Sequence, residues 1–141
     1  MFVDLDGFKS INDTEGHPAG DLLLQQVTGI LRESTRLTDS VVRYGGDEFV
    51  IMLKDVNAEM LTLIADQILG RIRTDLKSVE FDRTITCSLG AVLYVPQDST
   101  AVRADALIKE SDRAMYEAKR RGGDRVYLAA SDAGKWALAG V

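Results

Sequence analysis

The sequence predicts an α/β (α+β) domain with a mixed sheet of about five strands and helices packed on it. Segments rich in β-branched and aromatic residues alternate with amphipathic segments of helical period. The two central strands are joined by a Gly-Gly pair, which suits a tight turn with positive φ and makes them a hairpin. A hairpin inside an alternating pattern argues against a fully parallel sheet.

Each element has its own signal in the chain. The first strand is an apolar run, the helices carry apolar stripes, and Asn57 is placed to cap the second helix. Gly122 and Gly123 end the third helix. In chain order we predict a strand at 1–5, a helix at 20–36, a hairpin at 41–44 and 48–53, a helix from Asn57 to Leu76, a strand at 84–95, a helix at 104–118 and a strand at 125–129.

The length of 141 residues indicates one domain, which we place at 1–129, with a weakly patterned tail at 130–141 in which Trp136 has no assigned role. The net charge of −5 argues against nonspecific nucleic-acid or membrane binding. One cysteine forms no disulfide within the chain, and no apolar run approaches the length of a membrane span. We therefore expect a cytoplasmic domain, or the cytoplasmic domain of a membrane protein.

The hairpin tip carries the most informative residues, Gly45-Gly46-Asp47-Glu48. Two adjacent carboxylates at a turn are favourable beside a cation, and phosphoryl-transfer sites use such acids to hold Mg²⁺ against phosphate oxygens. The two glycines also let a ligand approach the backbone. The alternative is a surface hairpin with two solvated acids.

A second candidate site lies at the end of the first strand. Asp4 and Asp6 point to the same side of an extended strand, so a cation would relieve their repulsion. Gly7 offers backbone N–H groups to a phosphate, and Lys9 adds a positive charge. The alternative is an acidic turn from strand to loop.

Asn12 and Asp21 suit recognition of a guanine edge. The carboxylate accepts from N1–H and the 2-amino group, while the amide contacts O6 and N3. The alternative is that they are loop and helix-capping residues.

These segments resemble the GGDEF family, the diguanylate cyclases, from residue 2 to about residue 128. The matching motifs, given in sequence order, are Asp4-x-Asp6-x-Phe8-Lys9-x-x-Asn12-Asp13, Gly16-His17-x-x-Gly20-Asp21, Arg43-Tyr44-Gly45-Gly46-Asp47-Glu48-Phe49, Thr84-Ile85-Thr86-x-Ser88-x-Gly90 and Asp112-x-Ala114-Met115-Tyr116-x-Ala118-Lys119.

The resemblance implies a palm-like nucleotidyl-cyclase fold and the condensation of two GTP into cyclic di-GMP and two pyrophosphates across a homodimer. It implies that Asp4, Asp47 and the Leu5 carbonyl bind Mg²⁺ (or Mn²⁺). Asp47 would also assist deprotonation of the 3′-hydroxyl, and Glu48 would support a second metal or the hairpin.

The resemblance also assigns the substrate contacts. Asn12 and Asp21 would bind guanine, and Lys119 would bind the β- and γ-phosphates together with the backbone around Gly7 and Phe8.

A product-inhibition site is implied at Arg36-x-x-Asp39, by its spacing before Gly45. Arg36 would stack on a guanine of cyclic di-GMP, with Asp39 as an acceptor. Gln67 stands where the family often has a second arginine. An exposed ion pair is the alternative.

Two departures from the family weaken the expectation of full activity. Gly123 replaces the arginine that usually helps to hold the terminal phosphates. The family's leading helix and most of its first strand do not precede Met1, so we expect a longer protein with a fused sensory or phosphodiesterase domain.

The alternative function is a catalytically weak or inactive GGDEF domain that binds GTP or cyclic di-GMP and regulates a partner domain. Two further classes stay open: a dehalogenase-like phosphatase, suggested by Asp4-Leu5-Asp6-Gly7, and a cyclase that makes a 3′,5′-cyclic mononucleotide.

Overall fold

The structure is a computed structural model that describes residues 1–76, 84–95, 102–132 and 135–140. Helices and strands alternate as the sequence predicts. The elements are β1 (Phe2–Asp6), α1 (Phe8–Glu15), α2 (His17–Glu33), β2 (Ser40–Gly45), β3 (Glu48–Met52), α3 (Ala58–Asp75), β4 (Thr86–Leu93), α4 (Ala104–Arg120), β5 (Arg125–Asp132) and β6 (Lys135–Gly140).

The strands of the described ranges form one mixed sheet in the order β2-β3-β1-β4-β5-β6. The short first strand lies in the middle, antiparallel to both β3 and β4. β4 and β5 are parallel, as expected for strands joined through a helix. The mixed sheet and the hairpin therefore confirm the predicted fold class.

Alternation along β1 divides the core into two layers. Val3 and Leu5 face the larger core, which includes residues of α1, α2 and α3. Phe2 faces the other side of the sheet, where it packs with Val50 and Met115 of α4. Asp4 and Asp6 share the face of Phe2, so both acids lie on the side of the sheet that α4 covers.

The predicted helix at 20–36 is wrong at its beginning. The chain forms α1 first, and Gly16 ends that helix at φ 88 while its N–H donates to the Asn12 carbonyl. α2 then begins at His17, with Pro18 in the first turn, where a missing N–H has no cost. The segment from Asn12 to Asp21 is therefore two helices joined at one glycine rather than a loop.

The other predicted boundaries lie close to the observed ones. Asn57 caps α3, since its side chain accepts a 2.8 Å hydrogen bond from the Met60 amide. The last predicted strand continues to Asp132, and β6 pairs with it in antiparallel fashion, so the tail adds an edge strand. The strand predicted at 84–95 is observed at Thr86–Leu93, two residues shorter at each end, and Pro96, which was expected to bound it, lies outside the described residues.

Gly90 lets α4 pack directly on the sheet. A Cβ at this position would lie 1.9 Å from the Ser111 carbonyl oxygen and 2.2 Å from the Met115 nitrogen. Because both atoms belong to the helix backbone, no side-chain movement could make room. This contact helps to set the height of α4, and therefore of Lys119 in its last turn, above the sheet.

Candidate active site

The C-terminal end of β1 and the tip of the β2–β3 hairpin bring three carboxylates together at the same end of the sheet. Asp4 is the cross-strand partner of Glu48. The Leu5 amide donates to the Asp47 carbonyl at 3.4 Å, so the backbones of these residues run side by side. Asp4 is only 6% exposed, and Asp47 and Glu48 are half-buried. This arrangement differs from a surface hairpin with solvated acids.

The hairpin turn is tight and open to ligands. Gly46 has φ 39, which favours glycine, and a Cβ placed there would meet no atom within 4 Å. Arg43 reaches across the turn, where its Nε donates to the Gly46 carbonyl at 2.9 Å. The turn is therefore held from its own strand while its outer surface stays free of packed side chains.

Lys119 is the cation that faces Asp4 in this structure. Its Nζ lies 2.5 Å from Asp4 Oδ1. Burial raises the pKa of Asp4 to about 6, and Asp47 and Glu48 push it the same way, whereas Lys119 opposes the rise. Asp4 and Lys119 were expected in the same active site, and they are in contact in the structure.

The donor set around Asp4 fits a hard divalent cation. Asp4 Oδ1 is buried and accepts no well-directed hydrogen bond, and the neighbouring carboxylates and carbonyls are the oxygen ligands that Mg²⁺ prefers. Across the ranges that the structure describes, however, no three His, Cys, Asp or Glu side chains form a ready-made metal site. The residues therefore match magnesium in kind, without a preformed cage.

Asp6 differs from Asp4 although both lie on the same face of β1. Its carboxylate accepts hydrogen bonds from the Thr86 and Ser88 hydroxyls, both at 2.8 Å, and from the Asp124 amide at 3.0 Å. The repulsion expected between the two acids is thus relieved at Asp6 by neutral donors. These hydrogen-bond partners of Asp6 were not predicted from the sequence.

The first turn of α1 lies directly after the two acids. Gly7 precedes the helix in the left-handed region at φ 78, and no side chain caps the helix. The first amides of α1 therefore have no side-chain cap and lie beside the exposed Lys9, as an anion site requires. Phe8 packs inward against the main core and anchors the turn.

Asn12 and Asp21 lie on neighbouring helices that meet at Gly20. A Cβ on Gly20 would be only 2.0 Å from Asn12 Oδ1. The Asn12 side chain therefore occupies the space above Gly20, next to the exposed Asp21 on α2. This close approach of α1 and α2 places Asn12 against the residue that precedes Asp21.

An open cleft of about 310 Å³ extends from the hairpin toward α4. Glu48 lines it together with Tyr44, whose ring packs edge-on against Phe2 at 5.5 Å. Glu48 is thereby accessible from the side of the sheet that carries Asp4.

The family model described as "Diguanylate cyclase, GGDEF domain" matches residues 1–125. The chain belongs to the GGDEF domain family. The resemblance drawn from the motifs is confirmed, and the phosphatase interpretation of Asp4-Leu5-Asp6-Gly7 is set aside.

Curated relatives of this GGDEF domain are named diguanylate cyclases. Diguanylate cyclase A of Treponema denticola is 37% identical over 131 residues, covering 91% of this chain and 34% of that protein. Diguanylate cyclase DosC of Escherichia coli is 38% identical over 130 residues, covering 91% and 27%. The chain thus spans about a third or less of the length of these curated relatives.

Solved GGDEF structures share the fold. The GGDEF domain of PA1120 (TpbB or YfiN) from Pseudomonas aeruginosa has a TM-score of 0.77 at 34% identity, covering 90% of this chain and 73% of that chain. The GGDEF domain of DgcB from Caulobacter crescentus, solved with c-di-GMP, has a TM-score of 0.80 at 27% identity, covering 90% and 74%. The predicted cyclase-type architecture is therefore confirmed.

The Arg36-x-x-Asp39 segment of the GGDEF domain forms a tight turn. Asp39 Oδ2 accepts from the Arg36 amide at 2.9 Å, and Oδ1 accepts from the Lys54 amide at 3.1 Å. The Arg36 side chain is exposed, and so is Gln67 on α3. Asp39 therefore already shapes the turn, and the Arg36 side chain is presented to solvent.

Gly123 is required by the backbone of this chain. Its φ is 71, and a Cβ there would lie 2.9 Å from Asp6 Oδ2. An arginine could not simply be restored at this position, since it would strain the turn and press on Asp6. Arg125 bonds to this turn, with its Nε donating to the Gly123 carbonyl at 2.9 Å.

None of the helices within the described ranges combines the length and apolarity needed to cross a membrane.

Proposed function

We propose that this chain is the diguanylate cyclase domain of a longer protein and condenses two GTP into cyclic di-GMP and two pyrophosphates. The observation that carries the proposal is the buried Asp4, paired with Lys119 and flanked by the Asp47–Glu48 hairpin. Relatives named diguanylate cyclases at 36–38% identity support it.

Asp4, Asp47 and the Leu5 carbonyl would hold Mg²⁺ or Mn²⁺, and Glu48 would support a second metal or the hairpin. When bound, the metal supplies Lewis acidity at the phosphate oxygens. The carboxylates hold the reacting groups in place, and Asp47 accepts the proton of the attacking hydroxyl.

Each GTP would lie across the end of the sheet where β1 and the hairpin meet. Asn12 and Asp21 bind its guanine, the α1 amides near Gly7 and Phe8 bind its terminal phosphates with Lys9, and the Gly45-Gly46 turn leaves room for it. Lys119 moves from Asp4 to the β- and γ-phosphates as these arrive, because both are anionic partners for one ammonium group.

A homodimer completes the reaction. Each 3′-hydroxyl oxygen attacks the α-phosphorus of the GTP on the other subunit, a new P–O bond forms, and pyrophosphate leaves with the electron pair of the broken bond. Two such steps close the ring. Because GTP is a cytoplasmic nucleotide, the proposal also places this domain in the cytoplasm, beside fused sensory or phosphodiesterase domains.

The product would inhibit the enzyme at Arg36 and Asp39. The exposed guanidinium of Arg36 suits stacking and bidentate bonding to a guanine of cyclic di-GMP. Asp39 shares its lone pairs between the turn and the ligand, and with Gln67 in place of a second arginine we expect weak inhibition.

The second candidate is a regulatory module that binds GTP or cyclic di-GMP without turnover. Gly123 favours it, because an arginine at that position is excluded by the backbone conformation and by Asp6. Weaker retention of the terminal phosphates would lower turnover and leave guanine binding intact.

Product analysis separates these candidates. The purified chain is incubated with GTP and Mg²⁺ at high protein concentration, and the products are resolved by chromatography. We expect cyclic di-GMP that rises steeply with protein concentration and disappears in Asp47→Ala. Asp66→Ala, which removes an exposed carboxylate from α3, is the matched control.

A 3′,5′-cyclic mononucleotide as the product would refute the proposal directly. GTP binding without any product, also when the chain is extended at its N-terminus, would favour the regulatory module.

A further inference from the structure

Asp6 is the acceptor at the centre of a hydrogen-bond network that joins distant parts of the chain. Its donors are Thr86 and Ser88 on β4 and the amide of Asp124, which lie 80, 82 and 118 residues away in sequence. Both oxygens of this carboxylate therefore accept hydrogen bonds from within the protein. These partners indicate a structural role for Asp6.

The segment that Asp6 holds is the cap at the C-terminal end of α4. The Gly122 amide donates to the Lys119 carbonyl and the Gly123 amide to the Ala118 carbonyl, both at 3.0 Å, which is the double hydrogen bond of a Schellman motif. The buried Gly123 packs against the Asp6 carboxylate without room for a side chain. The last turn of α4 is thus seated directly on the end of β1.

Arg73 on α3 locks the same turn from outside. Its Nε lies 2.7 and 2.8 Å from the two carboxylate oxygens of Asp124, and its Nη2 donates to the Asp124 carbonyl at 3.0 Å. Asp124 has φ 53, a left-handed conformation that Asp adopts more readily than most residues. Arg73 thereby holds in place the Asp124 amide that donates its hydrogen bond to Asp6.

We propose that Asp6 is a positioning residue for the reaction and that the Arg73–Asp124 pair acts with it to hold Lys119 opposite Asp4. We call Asp6, Arg73 and Asp124 the clamp. Lys119 lies in the last turn of α4, which the clamp holds, and Asp4 is the second residue before Asp6 on the same face of β1. The inference rests on the proposed function, because the reaction it serves is the cyclase reaction.

The clamp has a clear use in that reaction. When Lys119 turns from Asp4 to a phosphate, the end of α4 loses its ion pair with β1. The Asp6 attachment remains, since it is made to the backbone amide of Asp124, and Thr86 and Ser88 of β4 hold the Asp6 carboxylate in place. The helix end stays seated and Lys119 keeps its reach.

Acylation of Lys119 by an N-hydroxysuccinimide ester, read by mass spectrometry, tests the clamp without substrate. The test variant is Arg73→Met, which retains the aliphatic stem. Arg71→Met is the matched control, because Arg71 lies on the same helix and pairs with Glu33 and Asp75 instead. We expect Lys119 to react about two- to fivefold faster in Arg73→Met, the range for losing a part-exposed ion pair, and unchanged in Arg71→Met.

Asp6 itself is tested by Asp6→Ala and Asp6→Asn. We expect Lys119 to be labelled faster in Asp6→Ala, because the hydrogen bond from the Asp124 amide is lost. In Asp6→Asn the side-chain oxygen still accepts from that amide, so the labelling should be slow again. In turnover assays, Arg73→Met should raise the KM for GTP more than it lowers kcat, whereas Arg71→Met should change neither.

Two results would overturn the inference: an unchanged Lys119 rate in Arg73→Met, or equal increases in both arginine variants, which would indicate general loosening. If the unaltered chain makes no cyclic di-GMP, the proposed function fails by itself, and the labelling still decides whether the clamp positions Lys119.

Discussion

Gly90→Ala should push α4 away from the sheet and destabilise the domain. The new methyl group would lie 1.9 Å from the Ser111 carbonyl oxygen, 2.2 Å from the Met115 nitrogen and 2.9 Å from the Ala114 carbonyl carbon. To reach an ordinary contact, the helix backbone must retreat by about 1 Å or more. That displacement loosens the packing of the buried Ala114 and Met115 along the same stripe.

Overpacking of a core costs about 1–3 kcal/mol even where side chains can adjust, and here only backbone is in the way. We therefore expect the free energy of unfolding to fall by about 3 kcal/mol, near the top of that range. For a domain of this size the melting temperature should fall by roughly 6–12 °C. Urea denaturation followed by circular dichroism measures the change.

Gly70→Ala in α3 is the matched control. A Cβ there meets no atom within 4 Å, so the same substitution should stabilise the chain by about 0.5–1 kcal/mol through helix propensity and chain entropy. Opposite signs at Gly90 and Gly70 are the expected outcome. If Gly90→Ala lies within 0.5 kcal/mol of the unaltered chain, the argument from the close helix–sheet contact is wrong.

Three further outcomes follow from single contacts. Gly20→Ala should displace the Asn12 side chain, whose oxygen lies 2.0 Å from the new Cβ, and weaken GTP binding in calorimetry about tenfold, while Gly29→Ala on the same helix should not. The pKa of Asp4 is raised to about 6 from its ordinary 3.8, so its contribution to stability is full below about pH 4 and is lost as pH rises through 6. In urea titrations, the free energy of unfolding of Asp4→Asn should rise relative to that of the unaltered chain between about pH 4 and 6. Above pH 6 the difference between the two chains should stay constant. Asn57→Ala removes the cap of α3 and should cost about 1 kcal/mol in the same assay.

The sequence predicted most elements because their signals are local. The hairpin at 41–44 and 48–53 was placed by two apolar runs and a glycine pair, and it is observed at Ser40–Gly45 and Glu48–Met52. α3 was placed by the Asn57 cap and a long apolar stripe. Such patterns repeat often enough within one element to be read without knowing its neighbours.

The short helix α1 was missed for the opposite reason. It has eight residues, and Ile11 is its only buried one, so no apolar stripe repeats. Tertiary contacts stabilise it, since Phe8 packs on the core and Asn12 lies against α2. β6 was also missed, because its small residues carry little strand propensity and it depends on pairing with β5.

The candidate site shows the same limit at the level of single residues. Asp4 and Asp6 have the same side chain, the same strand and the same face, so the sequence assigns them alike. The surrounding chain makes them different: Asp4 faces one ammonium group and two other carboxylates, whereas Asp6 accepts hydrogen bonds on both oxygens from donors up to 118 residues away. A carboxylate that is buried with an exchangeable cation retains the capacity to bind substrate-borne charge. A carboxylate whose two oxygens both accept from fixed neutral donors holds structure instead, and residues far from it in sequence decide which of the two it becomes.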